Sequence, residues 1–329
     1  MIGLLGSGSW ATAIVKILLE DEEQRVNWWV REPEIIEGLE EEHHNPLYLS
    51  GAFLDTSRLY VSSDIADIVR RSDHLFLVIP SAFVASAFAG INPEMLKGKK
   101  IHSGVKGIVP ETNQIVTDYL HDVLGVAYED MTFFSGPSHA EETAQAKLTY
   151  LSVSAKNKAL CEKVRQMLNC YYVRTVASED MEGSEYATVM KNIYSVATGI
   201  CRGLNYGDNL IAVLISNAMQ EMDDFIQHFV PLGSRRLEQF AYLGDLLVTC
   251  YSQYSRNLRF GFMIGHGYSV KGAQMEMQMI AEGYYAVASI EKRRAEMGLS
   301  MPICESVYRI LYNKETPRRV MKGVIESLR

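Results

Sequence analysis

The sequence has little that would cross-link the chain or anchor it elsewhere. Its five cysteines, Cys161, Cys170, Cys201, Cys250 and Cys304, are odd in number and form no CxxC pair. Neither a disulfide framework nor a zinc site follows from such spacing; scattered buried thiols in a reducing compartment are the plain reading. The eight histidines are equally dispersed, none at the spacing of a zinc-binding helix, so no metal is expected. Long uncharged apolar runs are missing too. Met1–Leu5 is apolar but lacks a basic leader and is interrupted by Gly3 and closed by Gly6, too short for a signal peptide or a membrane span. Positive charge is not in excess: 32 Lys and Arg against 40 Asp and Glu give a net charge of −8, both signs being mixed along the chain. That speaks against the basic face a nucleic acid or an anionic membrane would require. An anionic small substrate is still allowed, since a pocket needs only local positive charge. There is no internal repeat and no low-complexity tract. The expectation is a soluble, cytoplasmic protein with no nucleic-acid partner and no membrane insertion.

What is present is a chain of 329 residues, 47% hydrophobic and 22% charged, long enough for two domains. In the first half short apolar runs alternate with amphipathic stretches, the pattern of a βαβ sheet. Strands are expected at Met1–Leu5, Arg25–Val30, His74–Ile79, Lys100–Gly104, Met131–Ser135, Leu148–Ser154 and Tyr171–Val176. Leu75–Ile79 is apolar throughout, as a parallel strand covered on both faces would be. Ala11, Ile14, Val15 and Leu18 recur at helical spacing. After a polar linker, Ala177–Asp180, the segments become long, rich in Met, Ala and Leu, and helical in period.

Between the first strand and the first helix lies Gly6-Ser7-Gly8-Ser9-Trp10-Ala11, a G-x-G-x-x-A dinucleotide fingerprint. Gly6 permits the tight turn, Gly8 lets a pyrophosphate approach the backbone, and Ala11 keeps helix and strand close. The helix N-terminus adds N–H donors and a positive dipole end. The fold class is therefore α/β: an N-terminal Rossmann-like dinucleotide-binding domain over residues 1–177 and a C-terminal all-helical domain over 178–329. The second strand leads into Arg31, with Glu32 next. An acidic residue there would suit the ribose of NAD and an arginine the 2′-phosphate of NADP. Arg31 favours NADP or dual use, against the plainer reading of a solvated loop side chain.

The helical domain opens with a segment, residues 185–199, that is apolar around most of its circumference, leaving a narrow polar stripe of Thr188, Lys191, Asn192, Ser195 and Thr198. A lysine on a helix is usually a solvated side chain. Lys191, the only charge on a largely buried stripe, instead suggests a cleft, where burial would lower its pKa toward the range of proton exchange. Hydride transfer to a ketone needs a donor for the developing alkoxide, and Lys191 suits that task. Lys106 follows a strand at the carboxyl edge of the sheet, where ligands of such folds bind. Ser138 has capping-box spacing to Glu141, and Asp245 precedes a helical run, so both also read as helix caps. Ser255-Arg256-Asn257 places a guanidinium and an amide side by side, which suits a phosphate. Met275, Met277 and Met279 read as packing.

Taken in order, Gly6–Ala11, Val105–Gly107, Ser135–Ser138, Val189–Asn192, Leu243–Cys250, Ser255–Asn257 and Ala281–Tyr284 resemble the NAD(P)-dependent glycerol-3-phosphate dehydrogenase family over nearly the whole chain. The resemblance implies reduction of dihydroxyacetone phosphate to sn-glycerol 3-phosphate with NAD or NADP as coenzyme, feeding glycerophospholipid synthesis. It implies Lys191 as proton donor and acceptor. Lys106, Asp245, Ser255, Arg256 and Asn257 correspond to substrate contacts, with Gly136 and Ser138 close by. Ser9, Trp10, Arg31, Lys106, Ala140, Arg256, Ile280 and Glu282 correspond to cofactor contacts, beside Gly6 and Gly8 of the turn. Partners are then limited to a small phosphorylated substrate and, as oligomer, a homodimer. One departure is that Ile211 and Asn217 stand where bacterial relatives usually carry arginines. The competing readings are another two-domain hydroxy-acid dehydrogenase and a catalytically silent NAD(P) sensor.

Overall fold

The computed structural model describes residues 1–233, 235–277 and 281–329, and within them the chain divides into two compact units. The first comprises Met1–Val105 and Gln114–Ser184; the second comprises Lys106–Asn113 and Glu185–Arg329.

In the first unit, eight strands form one sheet: β1 (Ile2–Leu5), β2 (Val26–Trp29), β3 (Leu59–Ser62), β4 (His74–Leu77), β5 (Lys100–Ser103), β6 (Met131–Ser135), β7 (Thr149–Ser154) and β8 (Val173–Ser178). Their order is β8-β7-β6-β5-β4-β1-β2-β3, and every neighbouring pair is parallel except β6 with β7. The 3-2-1-4-5-6 core of that order is the doubly wound plan, whose direction reverses at β1. The connecting helices are α1 (Ser9–Leu18), α2 (Pro33–Glu41), α3 (Ile65–Arg71), α4 (Val84–Phe88), α5 (Val116–Asp122), α6 (Ala140–Ala144) and α7 (Lys158–Leu168). Helix α1 forms because Ala11, Ile14, Val15 and Leu18 share one face, and all four are buried with Leu4, Trp28 and Phe76 in the core. A ligand of such a sheet meets the carboxyl end of the strand at the reversal, which here is the turn after β1.

All seven expected strands are present. Within this sheet the additional strand, β3, lies at the edge and is partly exposed, so its four residues carry no buried apolar run to announce it; a separate two-stranded pair, Ile108–Val109 with Gln114–Ile115, was not expected either. The supposed linker is partly strand, since β8 continues through Ser178.

The second unit consists of α8 (Met181–Gly203), whose first four residues belong to the first unit, with α9 (Asp208–Phe229), α10 (Asp245–Tyr251), α11 (Arg256–Gly265), α12 (Val270–Glu276), α13 (Glu282–Met297), α14 (Pro302–Leu311) and α15 (Pro317–Ser327). The division between the two compact units therefore falls after Ser184, within α8. The stretch Lys106–Asn113 also belongs to the second unit, for a physical reason: Asn192 on α8 donates to the Lys106 carbonyl at 3.0 Å, and Ser289 on α13 donates to Asn113 at 2.8 Å. Helices α8 and α11 cross with backbones in close approach. A Cβ on Gly199 or Gly203 would fall 2.1 and 2.3 Å from the carbonyl oxygens of Leu258 and Phe262. Gly261 and Gly265 face α8 in the same way. A π-helical turn, Phe240–Gly244, leads directly into Asp245; such turns recur at functional sites.

Candidate active site

The turn after β1 is built from absences of side chain. Gly6 has φ +130°, a conformation L residues avoid, and a Cβ there would stand 2.2 Å from the Val78 carbonyl oxygen. Gly8 precedes the first residue of α1, and a Cβ there would enter open space. Side chains tie the turn in place from outside. Trp28 Nε1 donates to the Gly6 carbonyl at 2.6 Å, and Asn45 Nδ2 donates to the Ser7 carbonyl at 2.9 Å and to Thr12 Oγ1 at 2.8 Å. The first turn of α1, with Ser9 and Trp10 half-buried, holds no acidic residue. Open space at Gly8 before a helix N-terminus free of opposing charge fits a pyrophosphate.

At the end of β2 the chain passes buried Val30 to Arg31 and Glu32. The Arg31 side chain is 68% exposed and bonds Glu32 Oε1 through both Nε and a terminal nitrogen, at 3.2 and 2.8 Å. Ser7 Oγ donates to the other oxygen, Glu32 Oε2, at 2.6 Å. Burial works to raise the Glu32 pKa, but the hydrogen bonds from Ser7 and Arg31 outweigh it and hold the carboxyl below its usual range.

The strand β6 ends at Ser135, and Gly136 follows with φ +148°, where a Cβ would meet the Tyr150 carbonyl at 2.5 Å. Ser138 does not cap α6. Its hydroxyl donates back to the Gly136 carbonyl at 2.9 Å, His139 takes the cap position, and Ala140 opens the helix. Helix α6 packs against α1, so Gly136, Ser138 and Ala140 lie on the same side of the first unit as the glycine turn.

The second unit gathers the charged residues. Lys191 is 4% exposed and its ammonium pairs with Asp245 Oδ1. The second oxygen of that carboxylate, Asp245 Oδ2, is buried without a hydrogen-bond partner among the described residues. Asp245 thus is no N-cap; it opens α10 and bonds α8. The buried amine of Lys106 is displaced toward neutrality. Loss of solvent around it and the neighbouring Lys191 charge push it down to about 7, with Asp245 opposing.

A chain of hydrogen bonds fixes these groups to one another. The Gly283 N–H donates to Asn257 Oδ1 at 2.9 Å, Asn257 Nδ2 to Asn192 Oδ1 at 3.0 Å, and Asn192 Nδ2 to the Lys106 carbonyl. Ser195 Oγ donates to the Thr249 carbonyl at 2.7 Å and lies 3.0 Å from Ser255 Oγ. Ser255 caps α11 by accepting from the Leu258 N–H, leaving Arg256 as the helix's first residue, exposed beside buried Asn257. Glu282 opens α13 next to Gly283.

Sequence reasoning missed Glu32 and Asn45 as supports of the glycine turn, and the glycine crossing of α8 with α11. Glycines four apart on both segments were the available signal. Ile280 lies outside the described residues, as does Met279. Met275 was expected to pack, yet it is 78% exposed, because α12 turns it outward. Ile211 is fully buried in the second unit, and Asn217 holds the backbone of Arg329 through two hydrogen bonds. The five cysteines are free thiols, and among the described residues no cluster could hold a metal ion.

Comparison with known proteins bears on this arrangement. Residues 1–161 match the family model for the NAD-dependent glycerol-3-phosphate dehydrogenase N-terminus, and residues 180–322 match that for its C-terminus. The chain belongs to this family. It is 34% identical over 314 residues to a glycerol-3-phosphate dehydrogenase [NAD(P)+] of Moorella thermoacetica, covering 94% of this chain and 91% of that one. It is 31% identical over 328 residues to the enzyme of that name from Syntrophobacter fumaroxidans, covering 99% and 95%. The solved glycerol-3-phosphate dehydrogenase of Coxiella burnetii superposes with a TM-score of 0.90 at 29% identity, covering 99% of this chain and 98% of that one. Family membership accounts for an α/β unit with a dinucleotide turn joined to a helical unit. No helix among the described residues is long and apolar enough to cross a membrane.

Proposed function

We propose that the chain reduces dihydroxyacetone phosphate to sn-glycerol 3-phosphate at the expense of NAD(P)H, and that the product serves glycerophospholipid synthesis. The observation that carries the reading is Asp245: one oxygen pairs with Lys191, while the other is buried and lacks a partner among the described residues. A buried orphan acceptor costs free energy unless a ligand satisfies it, and a hydroxyl of the substrate is a suitable donor.

Gly6, Gly8, Ser9 and Trp10 hold the dinucleotide, with Arg31 and Ala140 around it, while Gly136 and Ser138 lie on the substrate side. Bound NAD(P)H supplies the hydride that goes to the carbonyl carbon. The Lys191 ammonium, aimed by Asp245, gives its proton to the carbonyl oxygen, which becomes the new hydroxyl. Lys106 adds a second positive group in a site poor in water, where such charge stabilises a developing oxyanion far better than in bulk solvent. Arg256, Asn257 and the N-terminus of α11 take the phosphate, the guanidinium in two-point contact. Ser255 holds that helix end. Asn192 and Asn257 position; they fix the Lys106 backbone relative to α8. Five free thiols support a reducing, cytoplasmic setting.

The test is a spectrophotometric assay of NAD(P)H oxidation with dihydroxyacetone phosphate beside unphosphorylated ketones and 2-oxo acids. Turnover confined to the phosphorylated ketone is expected. An inert dihydroxyacetone phosphate with an active 2-oxo acid would replace this reading by that of another hydroxy-acid dehydrogenase.

A further inference from the structure

We propose that Glu32 sets the coenzyme preference of this chain in favour of NADH: its carboxylate takes the hydroxyls of the adenosine ribose and turns away a 2′-phosphate. The inference rests on the reading of the Gly6–Ala11 turn as the dinucleotide site. Arg31 by itself pointed the other way, since an arginine after the second strand can receive that phosphate.

Three observations reverse the weighing. Glu32 stands about 20 residues beyond the fingerprint, where a doubly wound fold offers an acid to the ribose. Its carboxylate is fixed at the turn itself, because Ser7, the residue between the two glycines, donates to Oε2 at 2.6 Å. And Arg31 is no free cation: it is bound to Oε1 through two nitrogens, so its charge is already compensated. A 2′-phosphate brought here would meet a partly buried anion with little net positive charge to offset it, and like charges brought together at an interface are strongly disfavoured. A ribose 2′-hydroxyl meets an acceptor instead. Each carboxylate oxygen has lone pairs left after one bond from Ser7 and those from Arg31.

The experiment is a comparison of kcat/KM for NADH and NADPH at fixed ketone, with NADH fluorescence titration as a separate measure of binding. The unmodified chain should favour NADH by at least about tenfold. Glu32→Gln removes the charge while leaving an amide able to contact Ser7, and should shrink the ratio by about tenfold, chiefly by lowering KM for NADPH. Ser7→Ala removes the tether and leaves the charge, so NADH should still be preferred. A native preference for NADPH overturns the inference. So does a Glu32→Gln ratio equal to the native one, because a purely structural tether would weaken both coenzymes alike. Absence of any NADH binding would instead overturn the dinucleotide reading of the turn.

Discussion

The glycine turn of the first unit and the lysine–aspartate cluster of the second are built by opposite means. The turn is made of backbone: Gly6 and Gly8 contribute space, and the start of α1 contributes N–H groups. Its one charged pair, Arg31–Glu32, stands at the solvent edge. In the second unit the clustered groups are side-chain charges with almost no exposure, the side chains of Lys191 at 5% and of Asp245 at 2%. Charges removed from water act on one another and on a ligand more strongly, but each must be held by a partner. A site for binding can thus be assembled from what is missing, whereas a site for proton transfer needs desolvated ions. Substitutions should separate the two.

The largest effect is expected at Lys191. Lys191→Ala removes the proposed proton donor and leaves Asp245 buried without its cation. Turnover should fall by roughly 10²–10⁴-fold, while NAD(P)H binding, measured by fluorescence, stays close to native. If turnover persists, the proton comes from elsewhere and the contrast between the units collapses. Asp245→Asn should also lower kcat, because the amide still reaches Lys191 but no longer carries the opposing charge.

The two glycines of the turn sharpen the other half of the comparison. Gly6→Ala forces a Cβ to within 2.2 Å of a backbone oxygen at a positive φ. It should cost about 2–4 kcal/mol of stability and lower the melting temperature as well as coenzyme affinity. Gly8→Ala meets nothing in the protein. Its melting temperature should stay near native while coenzyme affinity drops, since the methyl occupies ligand space. Equal behaviour of the two variants would mean that the turn is a structural connector only.

The glycine turn was legible because its signal is local: strand, turn and helix succeed one another within 18 residues. The polar stripe on α8 was legible for the same reason, a helical period within a single segment. What the sequence did not reveal depends on residues far apart in the chain. Glu32 meets Ser7 across 25 positions, Asn257 meets Asn192 across 65, and Asn192 reaches the Lys106 carbonyl across 86. That last bond is also why a loop directly following a strand of the first unit belongs with the second. Burial on a helix pointed to Lys191; the structure adds an Asp245 carboxylate as its partner and a second buried amine, Lys106, whose pKa falls to about 7. Spacing identifies the element but not the partner on which such a shift depends.

That displacement has a measurable consequence. If the ammonium form of Lys106 is needed to polarise the carbonyl, kcat/KM for ketone reduction holds below about 7 and falls as pH rises through that value, where the amine loses its proton. The fall should approach about tenfold per pH unit for a single required proton. Lys106→Arg keeps its charge across the range and should move the break upward even if activity is lower. A native profile flat to pH 9 would remove Lys106 from the electrostatics of the site.

The smallest effects should distinguish the units by stability alone, and with opposite signs. In the first unit His74 Nδ1 lies 2.9 Å from His102 Nε2, and His102 Nδ1 lies 3.0 Å from Thr132 Oγ1, all between neighbouring strands. Burial, reinforced by Lys163, lowers His74 to about 4, and burial with the adjacent His74 takes His102 well below its usual range. Between about pH 4 and 6.5 the unfolded chain therefore binds more protons at these sites, so the first unit should gain stability as pH rises through that window. In the second unit Glu221 accepts from the N–H groups of Ile303 and Cys304, yet burial outweighs those bonds and raises it to about 7. There the folded chain binds the extra proton between about pH 4.5 and 7, so stability should decline as pH rises through that window. Hydrogen exchange read by mass spectrometry at pH 5 and pH 7, corrected for intrinsic rates, can follow β4 and β5 separately from α9 and α14. Protection should rise with pH in the strands and fall in the helices. Glu221→Gln should flatten the helical response and leave that of the strands unchanged; a parallel response of both units to pH would mean that they unfold as one.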